Sequence, residues 1–176
     1  MELPPPITAA DLTTYATVGS TVTAVLAFAI SIWTAWAQRQ HNKLSVRPLP
    51  EIQLRDMNGH IQVKLINNGT GPLVIKKLEV LDNKKIVGRA LIELIPLGGR
   101  GWNFFVDIID GRSIAPNGEI LLLDLEYDTN NITEREFAKS TRVALCNLDI
   151  NISYKSIYGN TLPSYQKKLT WFSRLI

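Results

Sequence analysis

From Leu12 to Gln38 the chain carries no charged residue, while every later stretch of similar length contains several. That run constrains the chain more than anything after it, because it is built for lipid. Tyr15 to Trp36 is about as long as an α-helix must be to cross a ~30 Å hydrocarbon core, roughly 20 residues. Trp33 and Trp36 at one end and Tyr15 at the other occupy the positions of interfacial aromatic belts. A removable signal peptide needs a basic leading region, and Met1 to Gln38 contains neither Lys nor Arg, so the segment is expected to be retained.

Orientation follows from the flanks. Glu2 and Asp11 precede the helix, whereas Arg39, Lys43 and Arg47 follow it. The positive-inside rule then puts the C-terminal side in the cytoplasm and the N-terminus outside, in the inner (cytoplasmic) membrane. A single cysteine, Cys146, suits a reducing compartment.

Within the apolar run Ala, Ser, Thr and Gly outnumber Leu, Ile and Val. At helical phase, Ala16, Ser20, Thr23, Ala27, Ser31 and Thr34 share one stripe, and Val18, Val22, Val25, Ala29, Ile32 and Trp36 the opposite one. Small residues let helix backbones approach closely, so the first stripe reads as a helix-association face and the second as a lipid face. Homo-oligomerisation through this helix is the expectation, with a narrow pore lining or a plain anchor as the alternatives. No intramembrane ionisable residue supports an ion pathway.

The chain divides into an N-terminal tail (1–11), a transmembrane helix (12–38), a basic juxtamembrane linker (39–50) and a β domain (51–176). Pro48 and Pro50 stop a helix near Val46. With Trp33 and Trp36, the basic residues Arg39, Lys43 and Arg47 form the membrane-surface set, each cation worth about 1 kcal/mol against anionic headgroups. The net charge of +3 makes no case for nucleic acid.

Beyond the linker, short strands alternate with turn residues. Glu51 to Met57 and His60 to Ile66 flank Asn58-Gly59, a hairpin signal in which both turn positions favour positive φ. Leu73 to Leu81 and Ile86 to Ile95 follow around Asp82-Asn83-Lys84-Lys85, with Gly88 as an expected bulge. Trp102 to Ile109 and Glu119 to Tyr127 come next. Thr133-Glu134-Arg135-Glu136 reads as a capping box opening a helix to about Ser140. Val143 to Ile157 and Thr161 to Phe172 close the set as a hairpin around Tyr158-Gly159-Asn160. Strands at this spacing favour a sandwich or barrel over βαβ units.

The run Leu65-Ile66-Asn67-Asn68-Gly69-Thr70-Gly71-Pro72-Leu73-Val74-Ile75, the turn Ile114-Ala115-Pro116-Asn117-Gly118-Glu119 and the segment Ile152-Ser153-Tyr154-Lys155-Ser156-Ile157-Tyr158-Gly159-Asn160 are similar to landmarks of immunoglobulin-like β-sandwiches. Joined to His41-Asn42-Lys43-Leu44-Ser45-Val46-Arg47-Pro48, the layout resembles small bacterial single-pass, membrane-anchored β-sandwich proteins, some of which accompany anti-phage defence systems. The resemblance implies an all-β fold, an immunoglobulin-like antiparallel sandwich after one N-terminal transmembrane helix. It covers nearly the whole chain and implies no catalytic residue. The Cys…Trp…Cys core of antibody domains is missing.

Catalytic signatures are not found. The two histidines, His41 and His60, offer no metal-ligand spacing with one Cys, and no nucleophile elbow, P-loop or dinucleotide fingerprint occurs. No catalytic residue, metal ligand or cofactor is therefore expected. Asp107, Asp110, Asp124, Glu126 and Asp128 read as a solvated sheet face. The loop Pro96-Leu97-Gly98-Gly99-Arg100-Gly101 offers backbone N–H groups and an arginine to an anion. Lys84, Lys85, Arg89 and Arg112 join Gly98, Gly99 and Arg100 as a candidate anionic-ligand set if their turns gather at one end of the domain. Two functions compete: a non-enzymatic membrane effector or scaffold whose sandwich binds a protein partner in the cytosol, and a ligand-gated receptor whose sandwich binds a nucleotide second messenger. The first is the primary expectation.

Overall fold

The computed structural model describes residues 8–95 and 102–175. They fall into two compact units, divided between Leu44 and Ser45.

The first unit is a single helix, α1, which runs from Ala9 to Ser45 as 37 residues. Thr8 and Asp11 close its start reciprocally. Thr8 N and Oγ1 donate to Asp11 Oδ2 at 3.0 and 2.7 Å, and Asp11 N donates back to Thr8 Oγ1 at 3.4 Å. At 1.5 Å per residue α1 is about 56 Å long, so it outruns a ~30 Å hydrocarbon core. Residues 39–45, expected in a linker, are helical, and the helix stops ahead of Pro48 as the prolines require. The hydroxyls of Thr13, Thr14, Thr17, Ser20, Thr21, Thr23, Ser31 and Thr34 each donate to a carbonyl three or four residues earlier, at 2.7–2.9 Å. A helix dense in hydroxyl groups therefore satisfies its donors internally, as a lipid environment demands.

The second unit holds nine short strands among the described residues: β1 (Pro50–Met57), β2 (His60–Asn67), β3 (Leu73–Asp82), β4 (Lys85–Gly88), β5 (Phe104–Phe105), β6 (Ser113–Ile114), β7 (Glu119–Glu126), β8 (Leu148–Lys155) and β9 (Tyr165–Lys168). A helix, α2 (Ile132–Cys146), joins β7 to β8, and 3-10 turns cover Leu91–Leu94 and Thr170–Leu175. One sheet has the order β1-β2-β7-β5. The other runs β4-β3-β8-β9, with β6 beside the start of β3. Every pairing is antiparallel.

Alternation along the strands builds the core. Ile61, Val63 and Leu65 of β2 and Leu123 and Leu125 of β7 join Leu73, Ile75, Leu78 and Val80 of β3 and Ile150 and Ile152 of β8 in one buried cluster. The inward positions of β3 change from odd to even numbers. The register slips between Ile75 and Lys77, leaving Lys76 as an extra residue, and a bulge of one residue turns the following side chains to the other face. A second slip between Val63 and Lys64 leaves Leu122 unmatched in β7, so Leu122 and Leu123 are both buried.

Several expected elements differ. The β1–β2 hairpin forms over Asn58-Gly59, but only Gly59 has positive φ, at 87°. The turn with two positive-φ positions is Asn83-Lys84, at 47° and 67°, between the paired residues Asp82 and Lys85. The strand expected over Ile86 to Ile95 ends at Gly88, where Val87 is the extra residue of a bulge, and the chain then turns so that Leu91 is buried. The strand expected over Trp102 to Ile109 is only Phe104–Phe105. The closing hairpin is shorter than expected. β8 starts at Leu148, and Phe172, expected in a strand, is buried by a 3-10 turn.

The largest difference is α2. Asn131, not Thr133, is its N-cap, with Oδ1 accepting from Thr133 N at 3.0 Å and Glu134 N at 3.4 Å. Glu134 reaches back to Asn131 Nδ2 and Asp128 N. The helix passes Ser140 to reach Cys146 because Ala138, Thr141, Arg142 and Leu145 form its buried face at i, i+3, i+4 and i+7. Thr and Arg in that stripe hide its amphipathic pattern.

Candidate functional site

The end of the sheet domain at which the chain enters is held by one buried side chain. Asn67, fully buried at the end of β2, accepts from Leu49 N (3.2 Å) and Gly69 N (3.1 Å) through Oδ1. Its Nδ2 donates to the carbonyls of Gly71 (2.8 Å), Ile114 (3.1 Å) and Ala115 (3.2 Å). Asn68 N donates to Leu49 O at 2.9 Å, and Thr70 Oγ1 donates to Ser45 O. The loop lies so close to the entering chain that a Cβ on Gly69 would overlap the Arg47 carbonyl, and one on Gly71 the Val46 carbonyl. Glycine is required there by close backbone approach, not by positive φ. Residues 45–50 are therefore part of the folded domain.

The opposite end carries the β1–β2 turn, the chain after β7, α2 and the last 3-10 turn. Here Arg142 and Asp56 form a buried ion pair. Arg142 Nε lies 3.1 Å from both Asp56 oxygens, and Nη2 donates to Asp56 Oδ1 at 2.9 Å and to the Tyr127 hydroxyl at 2.8 Å. The Asp56 side chain is 0 % exposed and that of Arg142 9 %. Burial works against the charged guanidinium, but the hydrogen bonds to Asp56 and Tyr127 outweigh it and hold its pKa above the ordinary arginine value. Arg174 extends the cluster. It stacks over the Trp171 ring, 3.3 Å from its centroid, and donates to the Asp56 carbonyl at 3.3 Å. Beside the ion pair opens a cavity of about 430 Å³, lined by Asn58, Tyr127, Thr129, Arg135, Glu136, Lys139, Arg142 and Leu175.

The candidate anionic-ligand residues are dispersed. Lys84 and Lys85 belong to the turn after β3, whereas Arg112 precedes Ser113, which pairs with Val74 at the start of β3. Eight residues of strand, about 26 Å, separate the two places. Arg89 is paired with Asp110, whose other oxygen accepts from Leu78 N at 3.0 Å. Gly98, Gly99 and Arg100 lie outside the described residues. Lys84 instead lines a cavity of about 600 Å³ with Cys146, Asp149 and Lys168.

On α1, the small-residue stripe Ala16, Ser20, Thr23, Ala27, Ser31 and Thr34 is exposed throughout. Trp33 and Trp36 are adjacent at 5.8 Å between centroids, and Arg39 and Lys43 follow one helical turn apart. Tyr15 and Trp33 are separated by about 27 Å of helix, the height of a hydrocarbon core.

The acidic residues read as a solvated face are mostly engaged. Asp124 Oδ1 accepts from His60 Nε2 at 2.7 Å and Gln62 Nε2 at 2.9 Å. Ligand atoms of His60, Asp124 and Glu126 lie within 4.8 Å of one another, a donor set of the kind a divalent cation takes. The register that places His60 opposite Glu126 creates the grouping, which linear spacing does not show.

Known protein families and curated protein sequences give no match to this chain.

Breaking a buried ion pair by removing one partner costs about 3–5 kcal/mol, whereas an apolar replacement of both is close to neutral. Asp56→Asn is expected to lower the unfolding free energy of the sheet domain by about that amount, and Asp56→Leu with Arg142→Met to regain most of it. Denaturant titration followed by tryptophan fluorescence measures both. Equal losses in the single and paired variants would contradict a coupled pair.

Proposed function

We propose that this chain is a non-enzymatic membrane effector or scaffold, anchored by α1 in the inner membrane, with its sheet domain in the cytosol. The observation that carries this is α1 itself: 37 residues, uncharged from Leu12 to Gln38, with no buried residue and with the hydroxyls of Ser20, Thr23, Ser31 and Thr34 bonded to carbonyls of the helix itself. The basic residues Arg39, Lys43 and Arg47 support a cytosolic sheet domain. The strand orders β1-β2-β7-β5 and β4-β3-β8-β9 around one core support an immunoglobulin-like sandwich. The resemblance to small anchored sandwich proteins supports a place in an anti-phage defence system.

Self-association through the small-residue stripe rests on close packing, because Ser20, Thr23, Ser31 and Thr34 already spend their donors within α1. A cytosolic protein partner is supported by the edge strands β4 and β5, where Ile86, Val87, Phe104 and Phe105 are 44–57 % exposed. A ligand-gated form of the same reading, with a nucleotide second messenger as trigger, is favoured by the cation-lined cavity beside α2.

Orientation is read from Cys146, the single thiol. A membrane-impermeant thiol reagent should leave it unlabelled in intact cells and label it after denaturing lysis. Labelling of intact cells would place the sheet domain outside and overturn the cytosolic assignment.

Assembly separates the two faces of α1. Ser20→Leu, Thr23→Leu and Ala27→Leu together should cut crosslinked oligomers in membranes severalfold, because bulk on that stripe keeps backbones apart. Val18→Leu, Val22→Leu and Val25→Leu together should leave them unchanged, and both triple variants should insert. Identical crosslinking of the two would reduce α1 to an anchor.

A further inference from the structure

We infer that the cavity between α2, the β1–β2 turn and the chain following β7 binds a small phosphate-bearing molecule of nucleotide size. The inference deepens the ligand-gated reading and rests on it only for what binding triggers; the site stands on its own geometry. A volume of about 430 Å³ fits the ordinary range of small-molecule sites.

Three cations define the chemistry. Arg135, Lys139 and Arg142 stand at i, i+4 and i+7 on α2, so one helix face presents them all, and all three line the cavity. They are the fourth, eighth and eleventh residues of α2, so the set runs along the helix and is not confined to its N-terminus. Arg142 is 7 % exposed, and its Nε and Nη2 are held by Asp56 and Tyr127. No hydrogen bond engages its remaining nitrogen, Nη1, among the described residues. A guanidinium already fixed by folding loses little further freedom when it meets a ligand.

Arg135 and Lys139 are exposed and make no ion pair among the described residues. Asp56 balances Arg142, and Glu136 is the one acidic side chain lining the cavity among the described residues, so the wall they form keeps a surplus of positive charge. A phosphate oxygen set is what paired guanidinium and ammonium groups recognise best, and Asn58 and Thr129 add neutral polar groups beside them. The cations are confined to one concavity, whereas a nucleic acid requires an extended basic stripe. The site also lies at the end of the sheets opposite Asn67, where the chain enters the domain.

The test uses the full chain in lipid nanodiscs, titrated calorimetrically with inorganic pyrophosphate and with magnesium-free ATP. Both are expected to bind, more tightly at low salt than at physiological salt. Arg135→Glu with Lys139→Glu should weaken binding at least about tenfold without moving Tm, since neither side chain belongs to the core. Glu136→Gln should tighten it. ATP binding without pyrophosphate binding would also support the site and add recognition of the base. Absence of binding by both probes to millimolar concentration, or wild-type affinity in the Arg135→Glu, Lys139→Glu variant, would overturn the proposal. The Ser20→Leu, Thr23→Leu, Ala27→Leu variant should bind as the unaltered chain does, so loss of ligand binding and loss of helix association are read separately.

Discussion

A single carboxamide, Asn67, holds together the four chain segments that meet where the polypeptide enters the sheet domain. Its five hydrogen bonds satisfy the entering strand at Leu49, the Gly69 and Gly71 loop, and the Ile114-Ala115 turn. At 0 % exposure none of these bonds is shared with water, and an unsatisfied buried donor or acceptor costs about 1–3 kcal/mol. β1, β2, β3 and β6 all start or end at this point, so the register of both sheets depends on it. The two glycines complete the arrangement by letting backbone lie on backbone.

The opposite end has a different kind of constraint. Asp56 and Arg142 bring charge into a region that α2, the β1–β2 turn and the last 3-10 turn would otherwise have to fill with apolar side chains. Such a pair is seldom more stabilising than a hydrophobic replacement. It does fix the position of α2, and with it the Lys139 and Arg135 side chains one and two turns earlier. The same ion pair that orders this end therefore sets the geometry of the proposed anion site.

Much of this was legible in the sequence, and the exceptions have physical causes. The apolar helix, β1, β2, β3 and β7 follow from uncharged length or from alternation, which β3 and β7 break only at their bulges, and each lies within a few residues of expectation apart from the extension of α1 to Ser45. The sequence pattern ends α2 early because Thr141 and Arg142 occupy its buried face, where the pattern demands apolar residues. Residue type alone favours Asn58-Gly59 over Asn83-Lys84 as the turn with two positive φ values, whereas φ depends on the strand register on either side. The cavity beside α2 draws on three separated segments, and its cation spacing, Arg135-x-x-x-Lys139-x-x-Arg142, has meaning only on a helix that reaches Cys146. The Gly69 and Gly71 loop shows in the sequence as a turn, but its partner, residues 46–49, has only the composition of a linker.

Residues 45–50 are built into the sheet domain, where they lie against the Asn67–Gly71 loop, and are not a loose tether. Native-state hydrogen exchange of the full chain in nanodiscs, read at the amides of Leu49, Asn68 and Gly69, tests it most directly. Exchange only through global unfolding, at the same free energy as Ile61 and Val63 in β2, is the result predicted. Rapid exchange of these three amides while β2 stays protected would show a flexible linker and contradict the account.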